Sequence, residues 1–392
     1  MVIDRYLIRQ QNESAVLGQI VQSGPISRAA IAGRMRMNKA TVSEITKKFI
    51  DDQIIEELGL DDRSRNRGRK AILLRLNKRA GVSLCIDLGS DYVSSCITYL
   101  DGEIIDAKKE KNLKIHKGNA AATVLGIIRQ YEEEQPKSLY GIIGVTIAVH
   151  GIIHENKILF TPNYDLDEIP LHEELSRQCK YPVFIENEAN LTAVAEATFS
   201  SEYPQLVSIS IHSGIGAGVI INGSLYTGRE GKAGEIGHSI LVPHGKPCSC
   251  GNHGCLECYC SETAILKKYM ELTNTAEATA DTIKEAYEAK DAAAIECIQE
   301  MAEYLAVGIN NLIVSFAPEI IFLNNPILRR IPDIVDKIRE NLPSSFSSSV
   351  EIRNSTLGSK AALFGAASVN IMNFLQVDRL NLVDTDAFDD LQ

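Results

Sequence analysis

The feature that most constrains the fold of this chain is a group of five cysteines between Cys248 and Cys260, out of nine in the whole sequence. Three of them have the spacing C-x-C-x4-C, and a histidine lies ten residues before the first. Three thiolates and one imidazole complete the tetrahedral coordination of a structural zinc ion with no open position. Glycines at 251 and 254 allow the tight turns that such a loop needs. The sequence therefore predicts a Zn²⁺ site whose ligands are His238, Cys248, Cys250 and Cys255.

Two other interpretations of this loop stay open at the level of sequence. The cysteines could be reduced thiols without metal, and His253 could replace His238, although it lies inside the tight part of the loop. Cys258 and Cys260 exceed what a tetrahedral ion needs, and we expect them to pack in the interior. In each case a reducing compartment is expected, since a chain of this size with clustered cysteines is not a disulfide scaffold.

Composition excludes membrane and secreted classes of protein. The 392 residues, 45% of them hydrophobic and 23% charged, suffice for two or three domains with cores of their own. No apolar run reaches the roughly 20 residues of a membrane span. The N-terminus, MVIDRYLIRQQNES, has charges where a secretory signal needs an apolar stretch. We therefore expect a cytoplasmic protein without a membrane partner.

The net charge of -11 is unevenly distributed along the chain. Residues 1–79 contain 16 basic and 9 acidic residues, a net charge of +7, and the remainder contains 24 and 42, a net charge of -18. A basic N-terminal module in front of an acidic body is a common arrangement in DNA-binding regulators. A chance cluster of surface lysines and arginines is the alternative interpretation of charge alone.

The pattern of residues 1–79 predicts three helices followed by a two-stranded hairpin, a winged helix-turn-helix. Ser27 and Asn38 are suitable N-caps for the second and third helices. The start of the third helix carries small polar and basic residues that suit a major groove, and the arginines of the hairpin tip could reach phosphates or a minor groove. A solvated basic loop on a small helical domain is the alternative. We predict that the DNA contacts come from Lys39, Thr41, Ser43, Lys47, Arg65, Arg67 and Arg69.

From Gly81 onwards the pattern changes to strands alternating with helices, which predicts an α/β fold. Strands are expected at 83–87, 92–100, 140–149 and 183–185, and a helix at 118–135. A second α/β series runs from about 206 to about 370. Two series of similar size predict a two-lobed body over residues 80–392 with a cleft between the lobes. Lobe one covers about 80–190 plus the C-terminal helix, and lobe two about 191–370.

Two glycine-rich turns and a set of polar residues in this body suggest a ligand site. The turns at 87–90 and 213–218 could present backbone N–H groups to an anion, although such turns are more often purely structural. Neutral sugars are bound by carboxylates and amides that bridge neighbouring hydroxyls, and the zinc loop would hold Glu235 and Glu257 at one spot. We predict a sugar site formed by Asn163, Asn187, Glu188, Glu235, His238 and Glu257.

These residues together resemble the ROK family of repressors and sugar kinases. The segment H-x9-C-x-C-G-x2-G-C-x-E from His238 to Glu257 resembles the family signature without gaps, and 234–238 and 186–190 resemble two further family motifs. The resemblance covers essentially the whole chain, because repressor members have a winged helix in front of a kinase-like body. It implies an actin-like, two-lobed fold, a sugar in the cleft, a structural zinc ion and a homodimer or dimer of dimers. The pattern is most similar to the repressor members that respond to xylose.

Carried over residue by residue, the resemblance matches Asn187, Glu235, His238 and Glu257 with sugar contacts of the family. It matches the four predicted zinc ligands with the family's metal ligands, and Asp87 with the aspartate of the first phosphate motif. Glu188 occupies the position of the aspartate that acts as general base in the kinases.

Departures from the kinase pattern predict that the chain is not an enzyme. Glu188 is one methylene longer than aspartate, and a misplacement of about 1 Å can lower a rate roughly a hundredfold. Ser90-Asp91 adds negative charge to the first phosphate loop, Asn324-Asn325 replaces two glycines, and His150-Gly151 replaces Pro-Gly. We therefore expect no ATP binding and a repressor released from operator DNA by a monosaccharide. The alternative is an active ATP-dependent sugar kinase with an appended DNA-binding domain.

Overall fold

The structure, a computed structural model, describes residues 5–60, 71–162 and 164–382. By its internal contacts the chain divides into two compact units. The first contains the chain up to Ile147, Leu171–Phe184 and the chain from Ala366 onwards, and the second contains Ala148–Pro170 and Ile185–Gly365. Within the described ranges, no helix combines the length and the apolar character needed to cross a membrane.

Helices and strands alternate along most of the chain, and the predicted α/β class is confirmed. The helices are α1 (Arg5–Ser23), α2 (Arg28–Met35), α3 (Lys39–Asp51), α4 (Ala120–Glu134), α5 (Leu171–Gln178), α6 (Glu188–Ala195), α7 (Glu257–Cys260), α8 (Glu262–Thr273), α9 (Ala280–Glu288), α10 (Ala292–Phe316), α11 (Pro326–Arg330), α12 (Asp333–Glu340) and α13 (Ala361–Leu375). The strands are β1 (Ile26–Ser27), β2 (Ile55–Leu60), β3 (Ile72–Leu76), β4 (Val82–Leu88), β5 (Tyr92–Tyr99), β6 (Ile104–Lys111), β7 (Ile142–Val149), β8 (Ile152–His154), β9 (Lys157–Phe160), β10 (Val183–Asn187), β11 (Leu206–Ile211), β12 (Ile215–Ile221), β13 (Ser224–Leu225), β14 (Ile320–Asn324) and β15 (Glu351–Asn354).

The N-terminal module has the predicted winged-helix arrangement. Helices α1, α2 and α3 pack with an antiparallel sheet of order β1-β3-β2. Ser27 and Asn38 cap α2 and α3, because their side chains accept hydrogen bonds from the backbone N–H groups of Ala30 and Ala40. An apolar core holds the helices on the sheet, and its fully buried members include Val16, Ile20, Ile31, Val42 and Leu74.

The first sheet of the body has the order β10-β7-β4-β5-β6. Strands β4 and β7 are buried along their whole length, which explains their continuous apolar sequences. The buried side chain of Asn370 on α13 fastens this helix to both strands. Its Nδ2 donates to Ser83 Oγ at 2.8 Å, and its Oδ1 accepts from Thr146 Oγ1 at 2.7 Å.

The second sheet lies in the second unit and has the order β13-β12-β11-β14-β15. Strand β11 is antiparallel to β12 and parallel to β14. Helix α10 spans 25 residues and places Cys297, Met301, Leu305 and Ile309 in the core beside this sheet. These four residues recur every fourth position, so one stripe of the helix is buried.

Helix α6 packs closely against β12, and two glycines of the predicted 213–218 turn make this contact. A Cβ atom at Gly218 would lie 2.4 Å from the carbonyl oxygen of Ala189, and one at Gly216 would lie 3.1 Å from the Ala189 Cβ. These glycines therefore serve the approach of helix and strand. The approach brings the first residues of α6 next to the turn between β11 and β12.

Candidate functional site

A polar cavity in the second unit lies at the start of α6. Its walls include the β11–β12 turn, Glu235 and His238, and Glu257, the first residue of α7. Five of the six predicted sugar-binding residues line it, and the sixth, Asn163, lies outside the described residues. The five are Asn187, Glu188, Glu235, His238 and Glu257.

Asn187 ends β10 and caps α6, which fixes its side chain at the cavity wall. Its Oδ1 accepts from the N–H of Asn190 at 2.9 Å, and its Nδ2 donates to the carbonyl oxygen of Gly151 at 2.6 Å. The amide retains one N–H and one lone pair beyond these bonds. A ligand hydroxyl in the cavity could use either of them.

Glu188 is the first residue of α6 and is directed toward β11. Its Oε1 accepts from the hydroxyls of Thr192 and Ser210, each at 3.1 Å. The Nε2 of His212 lies 4.0 Å from the same oxygen. Sequence analysis did not single out His212 or Ser210, although the place of His212 between a buried strand and a glycine turn was a signal that could have found it.

His238 lies between two carboxylates of the cavity. Its Nε2 is 3.9 Å from Glu235 Oε2, and its Nδ1 is 3.5 Å from Glu257 Oε1 and 3.5 Å from Cys248 Sγ. Burial raises the pKa of Glu235, and the nearby Glu257 carboxylate acts in the same direction, while His238 opposes them. The imidazole therefore has one nitrogen on the side of the cysteines and one on the side of Glu235.

Beside the cavity, four side chains could hold a metal ion, because their donor atoms all lie within 4.8 Å of one another. Cys248 Sγ is 3.5 Å from His238 Nδ1, and Cys250 Sγ is 3.7 Å from Cys255 Sγ. Tetrahedral zinc places such atoms about 3.3–3.8 Å apart. Burial raises the pKa of Cys255 to about 11, and a cation bound beside this thiol would favour its deprotonated form. The four are the predicted ligands His238, Cys248, Cys250 and Cys255.

Backbone contacts shape the loop that carries these thiols. Gly254 has a φ of +81°, and a Cβ there would lie 1.7 Å from the carbonyl oxygen of Val242. The N–H of Cys248 donates to the carbonyl of Asn252 at 2.9 Å. Glycine at 254 is therefore required for the chain to return the third cysteine to the cluster.

The remaining candidates of the loop occupy different surroundings. His253 pairs with Pro247 in an isolated bridge and is not a member of the cluster. Cys260 is fully buried, as expected for a packing residue. Cys258 was also expected in the interior, but it is only half-buried, and it forms a second group of donor atoms with Cys248 and Glu257, also within 4.8 Å of one another.

The first glycine turn, in the first unit, is occupied by an aromatic ring. A Cβ at Gly89 would lie 2.3 Å from a ring carbon of Tyr92, and the N–H of Gly89 donates to the carbonyl of Tyr92 at 3.0 Å. The hydroxyl of Tyr92 donates to Asp87 Oδ2 at 2.9 Å. The Gly89 N–H therefore already has an acceptor within the turn.

Asn324 and Asn325, in the second unit, are buried parts of the fold. Asn325 Oδ1 accepts from the N–H groups of Ile327 and Leu328, and its Nδ2 donates to the carbonyl of Ile211 at 2.7 Å. The Asn325 side chain thus caps α11 and links this helix to the end of β11.

The predicted DNA contacts of the third helix lie on α3. Lys39, Ser43 and Lys47 are exposed and Thr41 is partly exposed, while Val42, Ile45 and Phe49 form the buried face. The predicted wing contacts, Arg65, Arg67 and Arg69, lie outside the described residues.

A model of the ROK family matches residues 83–372 of this sequence. This chain belongs to the ROK family. The xylose repressor of Bacillus spizizenii is 34% identical to it over 387 residues, which are 97% of this chain and 100% of that protein. A solved ROK family transcriptional regulator, a homolog of the Escherichia coli MLC protein, superposes with a TM-score of 0.80 at 29% identity, over 94% of this chain and 96% of that one. The family resemblance expected from the motifs is confirmed.

A solved ROK sugar kinase has the same fold as the part of this chain that follows the N-terminal module. The ROK family glucokinase of Streptomyces griseus superposes with a TM-score of 0.67 at 24% identity and covers 74% of this chain and 99% of its own. This likeness concerns the fold alone. It confirms the expected kinase-like body.

Proposed function

We propose that this chain is a sugar-responsive transcriptional repressor. Residues 1–79 bind operator DNA, and residues 80–392 bind a monosaccharide whose arrival releases the DNA. The observation that carries the proposal is the cavity with three carboxylates and an amide, in a chain that begins with a winged helix. Carboxylates and amides accept from and donate to neighbouring hydroxyls of a neutral sugar. The likeness to proteins named xylose repressors favours xylose.

A structural zinc ion is part of this proposal. The thiols of Cys248, Cys250 and Cys255 and the Nδ1 of His238 form the donor set, and the ion supplies the positive charge that keeps the thiols deprotonated. His238 then keeps a fixed orientation, with its other nitrogen available to the cavity. Glu257 follows Cys255 by two residues, so the ordered loop also positions this carboxylate.

We infer that the chain does not transfer phosphate to sugars and binds no ATP. A general base must hold the attacking hydroxyl within reach, and Glu188 is one methylene longer than the kinase aspartate, with its Oε1 held by bonds from Thr192 and Ser210. The ring of Tyr92 against Gly89 and the buried Asn325 support the same inference. The active kinase with an appended DNA-binding domain remains the alternative, and binding of Mg·ATP distinguishes the two.

The partners in this proposal are operator DNA, the monosaccharide and a second copy of the chain. A homodimer, or a dimer of dimers, presents two α3 helices to successive major grooves of an inverted repeat, about 34 Å apart. The exposed Lys39, Ser43 and Lys47 suit this placement. Such a protein acts in the cytoplasm, where its DNA and its sugar are found.

The test is a gel-shift titration of the full chain on DNA fragments selected from a random library, with D-xylose, glucose or N-acetylglucosamine added. We expect an inverted repeat to be enriched and D-xylose to weaken its binding by about 5–150-fold. A library without any enriched sequence would reject the DNA-binding function. Tighter binding with sugar would reverse the direction of the response.

A further inference from the structure

Two of the histidines in the cavity wall each lie opposite a carboxylate at nearly the same separation. His238 Nε2 is 3.9 Å from Glu235 Oε2, and His212 Nε2 is 4.0 Å from Glu188 Oε1. All four residues line the cavity of the second unit. His238, Glu235 and Glu188 already belong to the proposed sugar site, so His212 is the member of these pairs that still has no role.

The backbone at His212 is held on both sides. Its N–H donates to the carbonyl oxygen of Gly214 at 2.9 Å, within the β11–β12 turn. The carbonyl oxygen of the preceding residue, Ile211, accepts from Asn325 Nδ2 at 2.7 Å, and Asn325 is fully buried. The imidazole therefore starts from a fixed point of the cavity wall, which lowers the entropy cost of a contact with a ligand.

Glu188 keeps one carboxylate oxygen for a ligand. Its two side-chain hydrogen bonds to described residues both end on Oε1, which accepts from Thr192 and Ser210 at 3.1 Å each. Two bonds use the lone pairs of Oε1, whereas those of Oε2 remain. Ser210 and His212 are two positions apart, so an extended chain directs both side chains to the face where Glu188 lies. The structure thus places an acceptor oxygen beside the His212 imidazole.

The separation of His212 from Glu188 is too long for a direct hydrogen bond and suits a bridging hydroxyl group. A direct N–H···O bond needs about 2.7–3.2 Å between nitrogen and oxygen, and His212 Nε2 is 4.0 Å from Glu188 Oε1. A hydroxyl oxygen that makes two bonds of about 2.8 Å at an angle of about 90–110° connects atoms about 4.0–4.6 Å apart. Such a hydroxyl accepts from the imidazole N–H and donates its own proton to the carboxylate.

We propose that His212 is a specificity-determining residue of the sugar site, and that it holds one particular sugar hydroxyl together with Glu188. The inference rests on the sugar site proposed above and adds a rule for its ligand. The ligand is a neutral sugar whose group at this position must both accept and donate a hydrogen bond, so a free hydroxyl fits and a methylene does not. The pair of His238 and Glu235 has the same geometry and suits a second hydroxyl of the same sugar.

Monodeoxy sugars test whether His212 contacts one hydroxyl. The full chain is titrated calorimetrically with D-xylose and with its four derivatives that each lack the hydroxyl at carbon 1, 2, 3 or 4. Glucose and its monodeoxy derivatives take their place if D-xylose does not bind the parent. The proteins are the parent, His212→Ala, His212→Gln and, as matched control, His116→Ala, which changes an exposed histidine of the first unit. Circular dichroism checks that all of them fold.

We expect His212→Ala to bind the complete sugar about two- to tenfold more weakly than the parent, since one neutral hydrogen bond is lost. For one of the deoxy derivatives the parent and His212→Ala should bind equally, because the hydroxyl that His212 contacts is missing from that ligand. His212→Gln keeps an N–H donor and should bind the complete sugar more tightly than His212→Ala. His116→Ala should match the parent throughout.

Three outcomes would overturn the role of His212. One is that His212→Ala keeps the parental affinity for the complete sugar. Another is that it weakens the binding of the complete sugar and of every deoxy derivative by the same factor, which a merely structural role predicts. The third is that His212→Gln binds no more tightly than His212→Ala. A parent that binds neither D-xylose nor glucose would instead reject the sugar site itself.

Discussion

The hydroxyl of Tyr140 donates a hydrogen bond to the backbone carbonyl of Asp52, at 2.9 Å. Asp52 is the C-cap of α3, the helix that we propose to enter the major groove. The ring of Tyr140 packs edge-on against Phe374 in the last turn of α13, with ring centres 5.0 Å apart. Within the first unit, the Tyr140 side chain therefore contacts both the end of α3 and the last turn of α13.

Tyr140→Phe should weaken the response to sugar. The variant keeps the ring packed on Phe374 but removes a hydrogen bond worth about 0.5–1.5 kcal/mol. Only the part of this energy that differs between the DNA-bound and sugar-bound states changes the response, so we expect the ratio of operator Kd values with and without D-xylose to fall by up to about tenfold. Gel-shift titration measures this ratio. Tyr181→Phe is the matched control, since its hydroxyl bonds to Glu132, away from α3. A parental ratio in Tyr140→Phe would remove this contact from the switch.

Cys248→Ser should release the zinc ion and lower sugar affinity together. Cys248 is one of the four side chains that could hold the ion, so the substitution leaves three of these donors. Loss of the ion frees the loop that positions Glu257, and we expect sugar affinity to fall by at least about tenfold. Zinc analysis and calorimetric titration with D-xylose check this, with Cys179→Ser in the first unit as control. Full sugar affinity in a zinc-free variant would show that the ion does not support the cavity.

Local features of this fold follow from the sequence, and several long-range features do not. The caps Ser27 and Asn38 depend on residues two or three positions away, which a sequence pattern displays directly. The approach of His212 to Glu188 depends instead on how α6 packs against β11, because 24 residues separate the two along the chain. Such pairings are set by tertiary packing, and the spacing of residue types contains no signal for them.

The glycine turns illustrate the same limit. The sequence places Gly89 in a turn after a buried strand, and this position is correct. It does not reveal that the Tyr92 ring lies against that glycine, because the same pattern fits a turn open to an anion. The side chain that fills such a turn becomes evident only when the strands are paired.

Glu257→Gln should give a protein that binds operator but no longer responds to sugar. The substitution keeps the shape of the side chain at the cavity wall and removes its charge, and hydrogen bonds to charged groups contribute about 1.5–3 kcal/mol. We expect sugar affinity to fall by about 10–150-fold while operator affinity stays within about twofold. Glu271→Gln, an exposed acid of α8, is the control. Release of Glu257→Gln by the parental concentration of D-xylose would exclude this carboxylate from the sugar site.

The parent protein should show no sugar kinase activity, and Glu188→Asp should not create any. Aspartate restores the kinase residue but leaves the ring of Tyr92 against Gly89 and the buried Asn325 unchanged. A coupled assay for ADP release over pentoses, hexoses and N-acetylated amino sugars should remain at background for both. Turnover near about 1 s⁻¹, the low end of ordinary enzymes, would establish the kinase alternative.

Glu196 should make the protein less stable as the pH rises toward neutrality. The residue begins the π-helical turn Glu196–Ser200 after α6 and is fully buried, and neither carboxyl oxygen has a hydrogen-bond partner among the described residues. Burial raises the pKa of Glu196 to about 7, although the hydroxyls of Ser200 and Ser355 lie near enough to oppose this shift. The folded chain therefore keeps a proton that the unfolded chain, with an ordinary pKa of 4.5, has already lost.

The sign of the effect follows from this difference in proton binding. Below about pH 4.5 Glu196 is protonated in both the folded and the unfolded chain, so the folded chain does not have to bury a charged carboxylate. Between that pH and about 7 the free energy of unfolding falls, by about 3 kcal/mol in total, and above 7 the loss is complete.

Glu196→Gln has no charge to bury, so its unfolding free energy should match that of the parent at about pH 5 and exceed it by about 2 kcal/mol at about pH 8. Urea unfolding at both pH values measures this, with the exposed Glu340→Gln as control. A variant less stable than the parent at the higher pH would mean that Glu196 is charged in the folded protein and has a partner that stabilises it.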